Sequence, residues 1–559
     1  MRHLFDPDSA ARGGPLVPLA CAAALAVVVA VLAVRYPASI WSMTDYELDS
    51  LSNAINLAYR FGDLSFYPAP SLENHPGVPH YVLSWIALAF AGFPFATSHL
   101  AFFRDVLDHV ERFHFIMMAL SALAGAAGIF LLMRAAERIA PIGVVLIGIL
   151  LWFGSTPFAL LSFMTLSIDC LGPILCALFL MVLWRIATEP RLTPSTMVLA
   201  GLLSAAAYLT KLSYINLPIG LGAAIGLVIL AGRGSRRWTF LMALLFGYAA
   251  AVGVLLVAVW VIEWSSFRAL LNFHIAVVFH SGAYGTGPSE IISGSGLRNA
   301  IASIPVDRTW AIPVALAAGL VLIVASGATA ILKNDRLPAA TLAMGIGVAS
   351  VFSALSVLKH YAGFYSAAVA YTLPACCVAA YMMLDAWNIR PRGRALTGTL
   401  VAAALCIPAL SVIGAADASM QDYWRRSLDA AADDKVIAGF IAKASGAAAV
   451  GFAYAVPFRE YGEGFLLADA GIPGLTYQYL AEPAPAISSI TQRLVARDIG
   501  VFVIDKRRFL TAESIETADN FNLLGPVAKY QAGDQLIELK TAFVLVRKPA
   551  ARAPRGVSE

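Results

Sequence analysis

A polytopic α-helical membrane body of about 11 transmembrane helices, with juxtamembrane helices on its outer face and a C-terminal soluble α/β domain, is the fold class this sequence predicts. Three observations predict it. The chain of 559 residues is 59% hydrophobic and only 13% charged, against roughly 25% charged in an ordinary soluble domain. Its apolar residues gather in runs of about 20, the length that crosses the hydrocarbon core as a helix. The charges are unevenly spread: 41 of the 74 fall within residues 1–416 and 33 within the much shorter 417–559. The expected domains are therefore 1–416, a membrane unit, and 417–559, a water-soluble one.

Apolar runs at about 16–34, 113–133, 139–155, 168–186, 196–212, 214–231, 239–262, 309–328, 338–357, 362–384 and 396–414 are the expected crossings. Leu16–Val34 is longer than the apolar core of a secretory signal, and no small-residue cleavage site follows, so it reads as a retained helix. Val82–Ala96 is short, bounded by Pro79, interrupted by Pro94 and followed by the charged segment Arg104–Arg112. If it stays outside and the N-terminus is cytoplasmic, fourteen Lys/Arg fall in short inner loops and nine are spread over longer outer connections, the positive-inside bias. If it crosses, that bias reverses. Residues 78–112 are thus expected to form outer juxtamembrane helices, and the first outer loop (35–112), a second (263–308) and the tail share the extracytoplasmic side. The tail predicts a helix over Arg425–Ser445 and strands at Ala448–Ala455, Gly500–Asp505 and Thr541–Val546. All six cysteines lie in apolar stretches and read as core residues.

Chemistry is expected on the outer face. Asp45, Glu47 and Asp49 stand within five residues, just beyond the first helix. Such a triad suits a general base or a cation site, while Thr44-x-x-Glu47 is also a capping box for a following surface helix. Glu73-Asn74-His75-Pro76 places an acid and an imidazole before the juxtamembrane helix, where proline stiffens the backbone. Asp169 falls between apolar segments at a helix end, where a carboxylate is costly unless paired or facing a cavity. It is a functional candidate or the acceptor of a structural hydrogen bond. Lys211 and the cluster Lys359-His360-Tyr361 lie at expected outer helix ends. Cations there can clamp a phosphate or simply snorkel to the interface. The glycine-rich stretch between His280 and Gly296 suits a lid.

In their order, these features resemble the GT-C superfamily of integral-membrane glycosyltransferases, in the branch holding protein mannosyltransferases, aminoarabinose transferases and rhizobial lipopolysaccharide transferases. The motifs run from Asp45-Tyr46-Glu47 and His75-Pro76 through the basic turn Arg134–Arg138 and Asp169 to Thr210-Lys211 and Lys359-His360-Tyr361. The chain departs from that branch in having Asp-Tyr-Glu where many members have adjacent Asp-Glu, and His-Pro-Gly-Val in place of His-Pro-Pro-Leu. The resemblance implies inverting transfer of a sugar from a polyprenyl-phosphate donor to a glycan, lipid or protein acceptor at the outer face of the inner (plasma) membrane. It implies catalytic roles for Asp45, Glu47 and Asp169, and substrate contacts from Glu73, His75, Asp49, Lys211, Lys359, His360 and Tyr361. A divalent cation serves some members of the superfamily and not others. The rival class is a multi-pass transporter or lipid-linked sugar flippase. Against it, the ionisable groups gather toward one face instead of the midplane, and no repeat relates two halves of the body. A net charge of +4 with no basic run interleaved with aromatics argues against a nucleic-acid partner.

Overall fold

The computed structural model describes residues 15–37, 51, 54–55, 57, 77–92, 105–106, 108–231, 235–262, 264–281, 288–291, 293–332, 336–389, 394–444, 449–453, 477–480, 499–506 and 535–546. Asp45, Glu47, Asp49, Glu73 and His75 lie outside the described residues.

Sixteen α-helices occur among the described residues. They are α1 (Leu16–Arg35), α2 (Val78–Phe90), α3 (Val110–Glu137), α4 (Ile142–Ser155), α5 (Phe158–Leu161), α6 (Gly172–Thr188), α7 (Pro194–Thr210), α8 (Asn216–Leu230), α9 (Arg236–Val257), α10 (Trp264–Phe279), α11 (Gly294–Asp307), α12 (Ala311–Leu332), α13 (Leu337–Lys359), α14 (Ser366–Ala370), α15 (Leu373–Ala386) and α16 (Arg394–Ala444). Short 3-10 turns precede α6, α8 and α14, and a π-helical turn, Ala258–Ile262, ends α9. Proline occupies the first turn of α6, α7, α13 and α15, where its missing N–H removes no intrahelical bond and its fixed φ favours the helix.

Among the described residues, eight helical segments are long and apolar enough to cross a bilayer. They coincide with eight of the expected crossings. Two others, α4 and α7, are apolar but have only 14 and 17 residues. The last expected crossing, 396–414, is the beginning of a helix of 51 residues. That helix also takes in the expected tail helix, because the intervening alanine-rich sequence contains nothing that stops a helix once Pro408 is accommodated. The helix α2 has 13 residues, about 20 Å at 1.5 Å per residue, short of the roughly 30 Å of hydrocarbon.

By compactness the chain divides into two units. One comprises Met1–Val34, Ala69–Phe90 and Phe115–Ala418; the other comprises Arg35–Pro68, Ala91–His114 and Ser419–Glu559. The core of the first unit is built on α6, α8 and α13, whose buried faces carry mostly Ala, Gly, Leu, Val and Ile. Helices α8 and α13 meet backbone to backbone: a methyl on Gly220 would stand 2.5 Å from the Gly345 carbonyl oxygen. Small residues permit this approach, which dispersion and close packing reward where no hydrophobic drive separates helix from lipid.

The second unit holds a five-stranded sheet of β1 (Ala449–Ala453), β2 (Tyr477–Leu480), β3 (Ile499–Asp505), β4 (Gln535–Glu538) and β5 (Ala542–Val546), in the order β2-β1-β3-β5-β4. The strands β2, β1 and β3 are parallel, while β5 and β4 run antiparallel. Three strands fall where alternation and β-branched residues predicted them; the four-residue β2 and β4 were not anticipated. The carboxylate of Asp433 on α16 is 5% exposed and accepts from Thr541 N–H (2.7 Å), Thr541 Oγ1 (2.7 Å) and Lys540 N–H (3.3 Å). It pins the helix to the β4–β5 turn. Beside it, the Asp429–Lys540 ion pair is solvent-exposed and contributes little. Replacing Asp433 with Ala strands two backbone donors and is expected to cost about 3 kcal/mol, with accelerated amide exchange at Thr541 in the full-length protein. Asp429→Ala should leave that exchange unchanged.

Candidate functional site

The polar centre of the first unit is built by two helix ends. After the short α5 the chain passes Leu166, whose left-handed backbone (φ 40°) is strained for a non-glycine residue. It then reaches Ser167, which caps the 3-10 turn Ile168–Leu171 by accepting from the Asp169 N–H at 3.2 Å. Asp169 thus stands at the positive end of the helix that continues as α6. Lys211 is the residue that ends α7, its backbone extended at φ −165° and ψ 145°. The acid sits at a helix N-terminus and the base at a helix C-terminus, each on the side the helix dipole favours.

The two side chains meet. Lys211 Nζ donates to Asp169 Oδ2 at 2.7 Å, and each side chain is only 2% exposed. Tyr214 Oη donates to the other carboxylate oxygen at 3.0 Å, and Ser167 Oγ lies 3.4 Å from Oδ2. The ammonium also lies 4.8 Å from the centroid of the Tyr365 ring and 5.6 Å from that of Phe364, so two aromatic faces share its charge. Tyr371 and Ser162 extend the polar cluster with a 2.8 Å hydroxyl contact. Gly172 makes the arrangement possible. A methyl there would lie 2.2 Å from two carbons of the Tyr371 ring and 2.5 Å from Tyr214 Oη.

The opening of α2 is tied to the same place. Gly77 donates its N–H to the carbonyl of Thr210 at 3.1 Å, one residue before Lys211. Gly77 is left-handed (φ 57°), and a Cβ there would stand 2.4 Å from the Tyr81 ring, so both backbone and space require glycine. The two residues before it are His75 and Pro76.

Lys359-His360-Tyr361 forms a separate arrangement at the end of α13. Lys359 Nζ donates to the Val277 carbonyl at 2.8 Å and also contacts the Val278 carbonyl. His360 Nε2 lies 2.9 Å from the Val277 oxygen. These are terminal carbonyls of α10, which carry the negative end of its dipole. Tyr361 Oη donates to Asp307 Oδ2 and shares a contact with Thr309 Oγ1, both at 2.8 Å. Burial, together with the adjacent Asp307 carboxylate, pushes the Tyr361 phenol up to about 12, so it remains a neutral donor. The tripeptide therefore staples α10 and α11 to α13. Tyr208 adds a further tie, 2.9 Å from His274 Nδ1 on α10.

Of the ten residues the sequence singled out, the structure joins Asp169 with Lys211 and groups Lys359, His360 and Tyr361; the other five lie outside the described residues. Sequence reasoning missed Tyr214, Tyr371, Ser162 and Ser167. Tyr214 was accessible as the residue one helical turn beyond Lys211, whereas Tyr371 and Ser162 carry no local signal. Among the described residues, no group of three or more His, Cys, Asp or Glu is placed to hold a metal ion.

No family model matches the chain, and no curated protein matches it. Among solved structures it is similar to ArnT from Cupriavidus metallidurans bound to undecaprenyl phosphate, with a TM-score of 0.43 at 14% identity, covering 93% of this chain and 97% of that one. It is also similar to ArnT from the same organism in the apo state, with a TM-score of 0.44 at 13% identity, covering 89% and 92%.

Removing either partner of the buried pair leaves an uncompensated charge in an apolar interior. Asp169→Asn or Lys211→Met alone is expected to lower stability by about 3–5 kcal/mol. The double variant should lose much less than the sum, because its remaining groups are neutral. Thermal unfolding in detergent checks this, and additive losses would mean the two groups are not coupled. Gly172→Ala should cost about 1–3 kcal/mol by overpacking against Tyr371.

Proposed function

We propose that this chain is an integral-membrane glycosyltransferase that transfers a sugar, with inversion, from a polyprenyl-phosphate donor to a glycan, lipid or protein acceptor on the extracytoplasmic face. The observation that carries the reading is the placement of charge. In a body with few ionisable groups for its length, an acid–base pair is buried at two helix ends, and the Thr210 carbonyl beside it accepts from Gly77, the residue that follows the His75-Pro76 motif. A channel for ions or solutes would be expected to line its midplane with such groups. The Asp169–Lys211 pair instead sits where α6 begins and α7 ends.

The chemistry follows from the charges that must move. A carboxylate of the first outer loop, Asp45 as first choice among Asp45, Glu47 and Asp49, takes the proton of the acceptor hydroxyl. The oxygen attacks the anomeric carbon from the side opposite the phosphate. The carbon–oxygen bond to phosphate breaks, and its electron pair leaves on the polyprenyl phosphate. Stabilising that developing charge is the main electrostatic task. Lys359 suits it better than Lys211. The neutral carbonyls around Lys359 leave its charge uncompensated, whereas Lys211 is neutralised by a carboxylate. His75 and His360 are further candidates for the phosphate, Glu73 for the acceptor, and the apolar surface between helices for the prenyl chain.

Asp45→Asn is expected to lower release of polyprenyl phosphate in the presence of acceptor by at least about a hundredfold, the scale of lost general-base catalysis, while donor binding persists. Turnover at the wild-type rate would remove Asp45 from the mechanism. Transport of intact lipid-linked sugar across proteoliposome membranes with no release of polyprenyl phosphate would favour the flippase reading instead.

A further inference from the structure

We infer that Lys211 is a positioning residue, which acts through the backbone of its own helix end on Gly77 and the start of α2 and does not bind the leaving phosphate. This rests on the glycosyltransferase reading and assigns a role within it. Three features of the geometry point to this role.

The first is charge. At 2.7 Å from Asp169, with both side chains 2% exposed, the ammonium has its counter-ion inside the protein. Drawing it toward a phosphate would strand the Asp169 carboxylate, which Tyr214 alone would then serve strongly. A cation meant for an incoming anion is better held by groups that lose little when it leaves.

The second is the backbone. Lys211 breaks α7 by adopting an extended conformation, and that break exposes the Thr210 carbonyl, one of the terminal acceptors a helix leaves unused. The acceptor is used by Gly77 N–H at 3.1 Å. An anchored Lys211 side chain fixes the peptide that carries this carbonyl, since the side chain and the carbonyl belong to adjacent residues.

The third is the receiving end. Gly77 is left-handed, sits against the Tyr81 ring, and accepts from Tyr81 N–H at 2.9 Å as α2 begins. Tyr81 is 4% exposed, so the start of α2 cannot easily shift. Ion pair, Thr210 carbonyl, Gly77 and α2 thus form one mechanical chain, and in the sequence Gly77 directly follows Glu73-Asn74-His75-Pro76.

The test is kinetics and hydrogen exchange on full-length protein in nanodiscs, with the sugar donor for turnover and undecaprenyl phosphate as the binding probe. Under the positioning role, Lys211→Met lowers kcat by tenfold or more while undecaprenyl phosphate affinity changes less than threefold, and the Gly77 amide exchanges at least tenfold faster. Lys211→Arg, which can keep the ion pair, restores most of kcat. Gly77→Ala reproduces the kcat loss with the Asp169–Lys211 pair intact. A tenfold or greater loss of undecaprenyl phosphate affinity in Lys211→Met, with the Gly77 amide still protected, would overturn the inference and make Lys211 a phosphate ligand. Unchanged Gly77 exchange in that variant overturns it as well. If no variant and no wild-type protein releases polyprenyl phosphate, the glycosyltransferase reading fails, yet the exchange data still decide whether Lys211 holds Gly77.

Discussion

A single ion pair organises the membrane unit: Lys211 against Asp169, 2.7 Å apart and shut away from solvent. Placing two charges in an apolar interior costs several kcal/mol each, and their attraction offsets this only where geometry is close and the remaining hydrogen-bonding positions are filled. Those conditions are met by Tyr214 on the free carboxylate oxygen, by Ser167 at the cap, and by the helix dipoles that place each charge at its favoured end. The pair is therefore better regarded as a constraint on shape than as a source of stability. It fixes where α6 begins and where α7 ends, and those two ends fix the approach of α2.

The rest of the unit is consistent with that constraint. Gly172 has no side chain because Tyr371 and Tyr214 occupy its space. The break at Lys211 is sharp because the residue must turn inward to reach Asp169. The second polar cluster, at Lys359-His360-Tyr361, works differently: its groups hold helix-terminal carbonyls and the Asp307 carboxylate, so it ties α10 and α11 to α13. Two lysines of similar sequence setting thus have different partners among the described residues, a carboxylate for Lys211 and backbone carbonyls for Lys359.

Much of the helical body was legible in the sequence, because apolar run length is a strong signal and proline at helix starts adds punctuation. The expected crossings 139–155 and 196–212 are apolar helices, α4 and α7, of 14 and 17 residues, and what an apolar run does not reveal is where a flanking proline or an inward-turning lysine sets the helix end. The 51-residue α16 looks like two elements in the sequence because its composition changes from apolar to charged along its length, while the structure assigns both parts to one helix. The β2 and β4 strands, four residues each, are too short to display alternation. At the site, Asp169 and Lys211 each stood out as an ionisable residue in an apolar setting. Their pairing was invisible, being a contact across 42 residues that only the packing of α6 against α7 creates. Lys359 looked the same as Lys211 in sequence; what separates them is the identity of the partner, a carbonyl in one case and a carboxylate in the other.

The most direct test of this account is a structure of the full-length protein with polyprenyl phosphate bound, in which the Lys211–Asp169 separation is measured. Nζ and Oδ2 are expected to remain in direct contact, near 2.7 Å, while the phosphate is held by other cations. A phosphate coordinated by Lys211, with the Asp169 contact broken, would contradict it.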